Sequence, residues 1–88
     1  MAWQIRVDRK AEKELDKLGH ADRERIIRFL FDRVAQLENA RDLGEPLAGS
    51  WSGYWKYRVG DYRLIASIED AIVTITIIKV GNRREVYR

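Results

Sequence analysis

Apolar and polar positions alternate almost from the first residue, with Trp3, Ile5 and Val7 separated by Gln4 and Arg6. A period of two is the signature of a half-buried strand, because successive side chains point to opposite faces. Asp8 follows where a helix N-cap belongs, and Ala11, Leu15 and Leu18 recur at spacings of four and three. That spacing predicts a short amphipathic helix closed at Gly19. After His20 a second, longer helix is predicted, with Ile27, Leu30, Phe31, Val34 and Leu37 on its buried stripe. Residues 39–50 contain Gly44, Pro46 and Gly49 and keep neither period. They are expected to cross the surface as an irregular connection held by Leu43 and Leu47. From Tyr54 to Val59 alternation returns, placing Trp55, Tyr57 and Val59 on one face and Tyr54, Lys56 and Arg58 on the other. Gly60-Asp61 predicts a tight turn into an antiparallel partner, Tyr62 to Glu69, and Glu69-Asp70 a second turn into Ala71 to Val80. That last run is apolar or Thr on both faces, as a strand central to a sheet should be. The order β-α-α-β-β-β predicts an α+β fold, with two helices packed on one face of a small, mainly antiparallel sheet.

Composition narrows the picture. The 88 residues are enough for one domain, expected to span 1–88, and a 45% hydrophobic fraction argues for a globular chain. With no Cys, disulfides, thiolate metal sites and cysteine nucleophiles drop out together, and the reducing cytoplasm is the expected location. No apolar run approaches the ~20 residues of a membrane span. The opening Met1-Ala2-Trp3-Gln4-Ile5-Arg6 lacks the order of a signal peptide, so no membrane partner is expected. The net charge of +3 is small, but it is unevenly spread. Segments 51–63 and 79–88 hold Lys56, Arg58, Arg63, Lys79, Arg83, Arg84 and Arg88 against Asp61 and Glu85, leaving the remainder net acidic. Cations interleaved with Trp and Tyr suit a polyanion with stackable bases. An ordinary solvated sheet face accounts equally well for charge alone.

Elimination does much of the chemical work. His20 is the one histidine, which leaves no triad and makes a zinc site improbable, and no metal or cofactor is expected. Glu12 and Asp16 intersperse with Lys10, Lys13 and Lys17, the pattern of a solvated helix face. No glycine-rich phosphate loop occurs. What remains is a set of cations and a phenol. Lys56 and Arg58 share a strand face, and Arg63 lies just across the Gly60-Asp61 turn, so the three are expected to converge near one phosphate. Like charges so placed repel and favour an uncharged Lys56 amine, the candidate proton acceptor. The plainer alternative is that Lys56 and Arg58 guard an edge strand against aggregation.

The run from Leu47 to Leu64, Leu-Ala-Gly-Ser-Trp-Ser-Gly-Tyr-Trp-Lys-Tyr-Arg-Val-Gly-Asp-Tyr-Arg-Leu, closely resembles the central hairpin of the RelE/ParE superfamily of toxins. The ending from Val80 to Arg88 resembles the terminal glycine, basic residue and Val-Tyr signature of RelE-type members. Strand and helix order match as well, so the resemblance spans essentially the whole chain.

It implies the toxin of a type II toxin–antitoxin pair: a metal-independent endoribonuclease that enters the ribosomal A site and cuts messenger RNA. Carried over by motif, the catalytic set is Lys56, Arg58, Arg63, Arg83 and Tyr87, with Lys79, Arg84 and Arg88 as further RNA-phosphate contacts. Arg58 stands where the best-studied RelE pattern has a lysine, and a guanidinium does not give up its proton. The implied partners are a cognate antitoxin, the ribosome and its messenger, with operator DNA bound only through the antitoxin complex. Two alternatives stand beside this: a ParE-type protein that inhibits DNA gyrase by binding, and a decayed member that only binds RNA.

Overall fold

The computed structural model describes residues 2–84, and the expectations for Tyr87 and Arg88 fall outside that range. Strand β1 (Gln4–Val7) leads into helix α1 (Arg9–Asp16), whose N-cap Asp8 accepts a hydrogen bond from the Lys10 N–H at 3.3 Å. A short break at 17–19 separates α1 from α2 (His20–Phe29), so His20 opens a helix rather than sitting in a turn. The sheet has the order β1-β5-β4-β3-β2, with β3 at Trp55–Val59, β4 at Tyr62–Glu69 and β5 at Thr74–Asn82. β1 runs parallel to β5, and every other neighbour is antiparallel. Both helices pack on one face, as the α+β expectation had it, against a five-strand mixed sheet. No helix among the described residues is long and apolar enough to cross a membrane.

The core joins Ala11 and Leu15 of α1 and Ile26 and Leu30 of α2 to Tyr57, Val59, Leu64, Ala66, Ile75, Ile77 and Val80 of the sheet. The buried stripe of the second helix differs from its expected phase. Ile26, Leu30 and Val34 are fully buried, Ile27 and Leu37 only partly, and Phe31 is 48% exposed. Residues 26/27 and 30/31 form two adjacent apolar columns, and the sheet takes the first. Over Leu30–Val34 the helix then widens into a π turn, with Ala35 N–H donating to the Leu30 carbonyl at 2.8 Å. That extra residue per turn carries Val34 and Ala35 inward together.

The connection 39–50 is more ordered than expected. It contains a 3₁₀ turn at Ala40–Leu43, a two-residue strand β2 (Glu45–Pro46) on the edge of β3, and another 3₁₀ turn at Gly49–Trp51. Its anchor is not Leu43, which is 37% exposed, but the buried Ala40, whose carbonyl accepts a hydrogen bond from the Tyr57 hydroxyl. The β3–β4 hairpin closes through Gly60-Asp61 as expected, with Val59 paired to Tyr62. Gly60 supplies the turn's positive φ of 58°, which an L side chain would resist. The next connection is longer than Glu69-Asp70 alone: a 3₁₀ turn at Asp70–Ile72 precedes β5.

One irregularity in β5 decides what the open face of the sheet carries. Ile65 pairs with Lys79 while Ala66 pairs with Ile77, so Ile78 is an extra residue in β5. Strict alternation from Ile75 and Ile77 would aim Lys79 into the core. The bulge shifts the phase by one, so that Val80 joins the core and Lys79 faces away from the helices.

Candidate functional site

The face of the sheet opposite the helices carries the cations in two rows. Arg58 of β3 pairs with Arg63 of β4, which pairs in turn with Gly81 of β5. Two positions along the same strands, Lys56 pairs with Ile65, and Ile65 with Lys79. Two residues of strand separate the rows by ~7 Å, about the spacing of adjacent phosphates in an extended single strand. The fold therefore brings Lys56, Arg58, Arg63 and Lys79 onto one surface, although they come from three strands.

It does not gather them into one bare cluster. The Lys56 ammonium lies 3.3 Å from the Glu45 carboxylate, which β2 places directly beside it in register. A carboxylate thus stands within what the sequence reads as a set of cations, and the argument from like-charge repulsion at Lys56 is corrected. Arg63 is turned back on the hairpin, donating through Nη1 to the Gly60 and Tyr62 carbonyls at 3.1 and 2.9 Å. Arg58 is exposed and lines a groove of about 550 Å³ beside α2, shared with Arg25, Arg28 and Arg33. Cross-strand repulsion from Arg63 fits this divergence of the two guanidinium groups.

Arg83 lies at the hairpin end of the face. Its N–H donates to the Asp61 carbonyl at 2.9 Å, and it borders a shallow depression with Asp61, Asn82 and Arg84. The Arg84 N–H is held by the Asn82 side chain at 3.1 Å, and both arginine side chains are exposed. Tyr62 belongs to the other side, as alternation with Arg63 implies. Its hydroxyl donates to Asp22 of α2 at 2.8 Å, and that hydrogen bond is the main cause of its raised pKa.

Sequence reasoning missed two residues of this face. Glu45 sits in what reads as a loop, and only the β2–β3 register shows that it opposes Lys56. Trp51, from the 3₁₀ turn before β3, has the Lys79 ammonium 5.9 Å from its ring centroid, which draws the indole onto the same face.

The family model for the ParE toxin of the type II toxin–antitoxin system parDE matches residues 5–87. The chain belongs to the RelE/ParE superfamily. It is 31% identical over 88 residues to the toxin RelG of Mycobacterium tuberculosis, covering all of this chain and 99% of that protein. It is 37% identical over 90 residues to the mRNA interferase toxin RelE of Escherichia coli, covering 99% of this chain and 92% of that one. Among solved structures, the RelBE2 toxin–antitoxin complex of M. tuberculosis matches with a TM-score of 0.87 at 26% identity, over 97% of this chain and 95% of the other. The isolated E. coli RelE toxin matches with a TM-score of 0.71 at 29% identity, over 98% and 92%. This is a RelE-type toxin of a type II toxin–antitoxin system.

Proposed function

We propose that this RelE-type toxin is an endoribonuclease that cuts messenger RNA in the ribosomal A site, using the message's own 2′-OH as nucleophile. The observation that carries the reading is the pair of cation rows on one open sheet face, with a carboxylate beside Lys56. Similarity to a protein named an mRNA interferase supports it. In the reaction a bond forms between the 2′ oxygen and phosphorus and the bond to the 5′ oxygen breaks, leaving a 2′,3′-cyclic phosphate and a 5′-OH. Glu45 accepts the 2′-OH proton, since an ammonium has no lone pair and a carboxylate has several. Lys56 and Arg63 stabilise the charge that builds on the phosphoryl oxygens, and Arg58 grips the strand as it leaves toward α2. Arg83 holds the water that protonates the departing 5′ oxygen, and the hydroxide so formed takes up the proton that Glu45 accepted, restoring the carboxylate. Lys79, Arg84 and Arg88 contact flanking phosphates, and Tyr87 stacks on a base, as the family resemblance implies. A cognate antitoxin covers the basic face, the pair binds operator DNA through the antitoxin, and the toxin acts in the cytoplasm.

Primer extension on a defined messenger, with and without purified ribosomes, tests this. Cuts in codon register are expected only with ribosomes, and Arg63→Ala should lower their rate by about 10²–10³. Native-rate cutting by a Lys56→Ala/Arg63→Ala/Arg83→Ala protein would overturn the assignment of the site. The ParE description of the matching family model favours a second reading, inhibition of DNA gyrase by binding. Uncut messenger together with lost supercoiling activity would establish that one instead.

A further inference from the structure

The open face carries an indole that phosphate chemistry does not need. Trp51 enters it from the Gly49–Trp51 turn, which is closed by hydrogen bonds from Trp51 N–H to Ala48 and from Tyr54 N–H to the Trp51 carbonyl. The indole is half-buried and stands edge-to-face with Tyr54, ring centroids 5.8 Å apart at 77°. The Lys79 ammonium lies 5.9 Å from the indole centroid. Lys79 is in the same cross-strand row as Lys56, with only Ile65 between them, and Ile65 has no exposed surface although it faces this side. The row thus reads as cation, covered isoleucine, cation, with an indole at its Lys79 end.

The other two tryptophans have different duties. The Trp3 indole N–H donates to the Glu38 carbonyl at 3.3 Å, and Trp55 carries the Arg41 guanidinium 5.6 Å from its ring. Neither shares a sheet face with Lys56, because Trp55 alternates with it and Trp3 belongs to the helix-side core. Trp51 is accordingly the tryptophan placed to meet what Lys56 and Lys79 bind.

We propose that Trp51 and Lys79 form a nucleotide subsite next to the scissile position, the indole stacking on one base of a single-stranded RNA and the ammonium meeting its phosphate. Every base has a π-face, so an indole platform beside a cation accepts a nucleotide whatever its hydrogen-bonding edge. The bulge at Ile78 makes the subsite possible, since with Ile78 in regular alternation Lys79 would share the core face with Ile77. For the identity of its ligand the subsite rests on the nuclease reading above, but binding requires no cleavage.

The test is a binding measurement on the full chain with a short 2′-O-methyl oligoribonucleotide, which lacks the attacking hydroxyl, and an abasic oligomer of the same length and charge. Fluorescence anisotropy of the labelled oligomers is read for the native protein, Trp51→Leu and Trp51→Phe at low salt. The expected result is about tenfold weaker binding of the base-bearing oligomer by Trp51→Leu, near-native binding by Trp51→Phe, and no difference among the three on the abasic oligomer. Native tryptophan emission should be quenched by the base-bearing oligomer, and that quenching should vanish in Trp51→Phe. Equal losses on both oligomers would make Trp51 a mere cover for Ile65 and overturn the proposal. So would Trp51→Leu binding within twofold of native, or native protein that binds neither oligomer. Base-dependent binding by a protein that never cuts ribosome-bound messenger would leave the subsite standing and remove the nuclease reading. Cutting with base-independent binding would do the reverse.

Discussion

Replacing Tyr57 by Phe removes one hydroxyl from the centre of the molecule and leaves the shape of the core alone. Tyr57 has no exposed surface, its ring stands edge-to-face with Phe29 at 6.4 Å, and its hydroxyl donates to the Ala40 carbonyl. Phenylalanine would leave that carbonyl without its donor, at a cost of about 1–3 kcal/mol. In a domain of this size each kcal/mol moves Tm by ~4–8 °C, so a fall of about 5–20 °C is expected. The same burial supplies a second signature. It pushes the Tyr57 phenol up to about 12 from its ordinary 10.0, because the phenolate would have to be made in the core. With the folded value the higher one, this stabilisation is whole below pH 10 and is lost as pH rises from 10 through 12, on the order of 2–3 kcal/mol in all. Urea denaturation of native protein and Tyr57→Phe between pH 7 and pH 11.5 measures both effects. The native advantage should be constant up to about pH 9.5 and then shrink. Equal stabilities at pH 7, or a difference that ignores pH above 10, would refute the reasoning.

Other outcomes follow from the open face and its bulge. Glu45→Gln should lower the rate of messenger cleavage by about 10²–10⁴; native kinetics would place the proton acceptor elsewhere. Deleting Ile78 should keep the fold, because Lys79 then follows Ile77 directly and the pairs Ala66–Ile77 and Ile65–Lys79 close into a regular ladder; deleting Ile65 from β4, which has no extra residue to absorb the loss, should invert one end of that strand at a cost of several kcal/mol. Thermal melts followed by circular dichroism distinguish the two, and an Ile78 deletion that melts as low as the Ile65 deletion would contradict the register argument.

Those outcomes also mark which features the sequence could disclose. Short-range signals were legible: the alternation of Trp3 to Val7, the Asp8 cap, the Ala11/Leu15 spacing and the Gly60-Asp61 hairpin are each dictated by neighbours in the chain. The phase of α2 was not, because two adjacent apolar columns satisfy a helical period equally well and only the sheet chooses between them. The bulge at Ile78 was hidden for a similar reason, since in a run such as Ile75-Thr76-Ile77-Ile78 nothing marks the supernumerary residue. The cations of the site were readable as residue types. Their division among a carboxylate partner, a pair of turn carbonyls and a groove beside α2 depends on contacts that form only after the strands are paired.

Strand β2 is two residues long, lies at the rim of the sheet and ends in Pro46, which has no N–H to give a further neighbour. Such an element opens at a small fraction of the free energy that unfolds the whole domain. Glu45 rides on it, so the carboxylate beside Lys56 is carried by the shortest strand among the described residues. On the reaction proposed above, heat or mild denaturant will therefore part the carboxylate from Lys56 while helices and inner strands stay folded, and cleavage will be lost at a temperature below the melt.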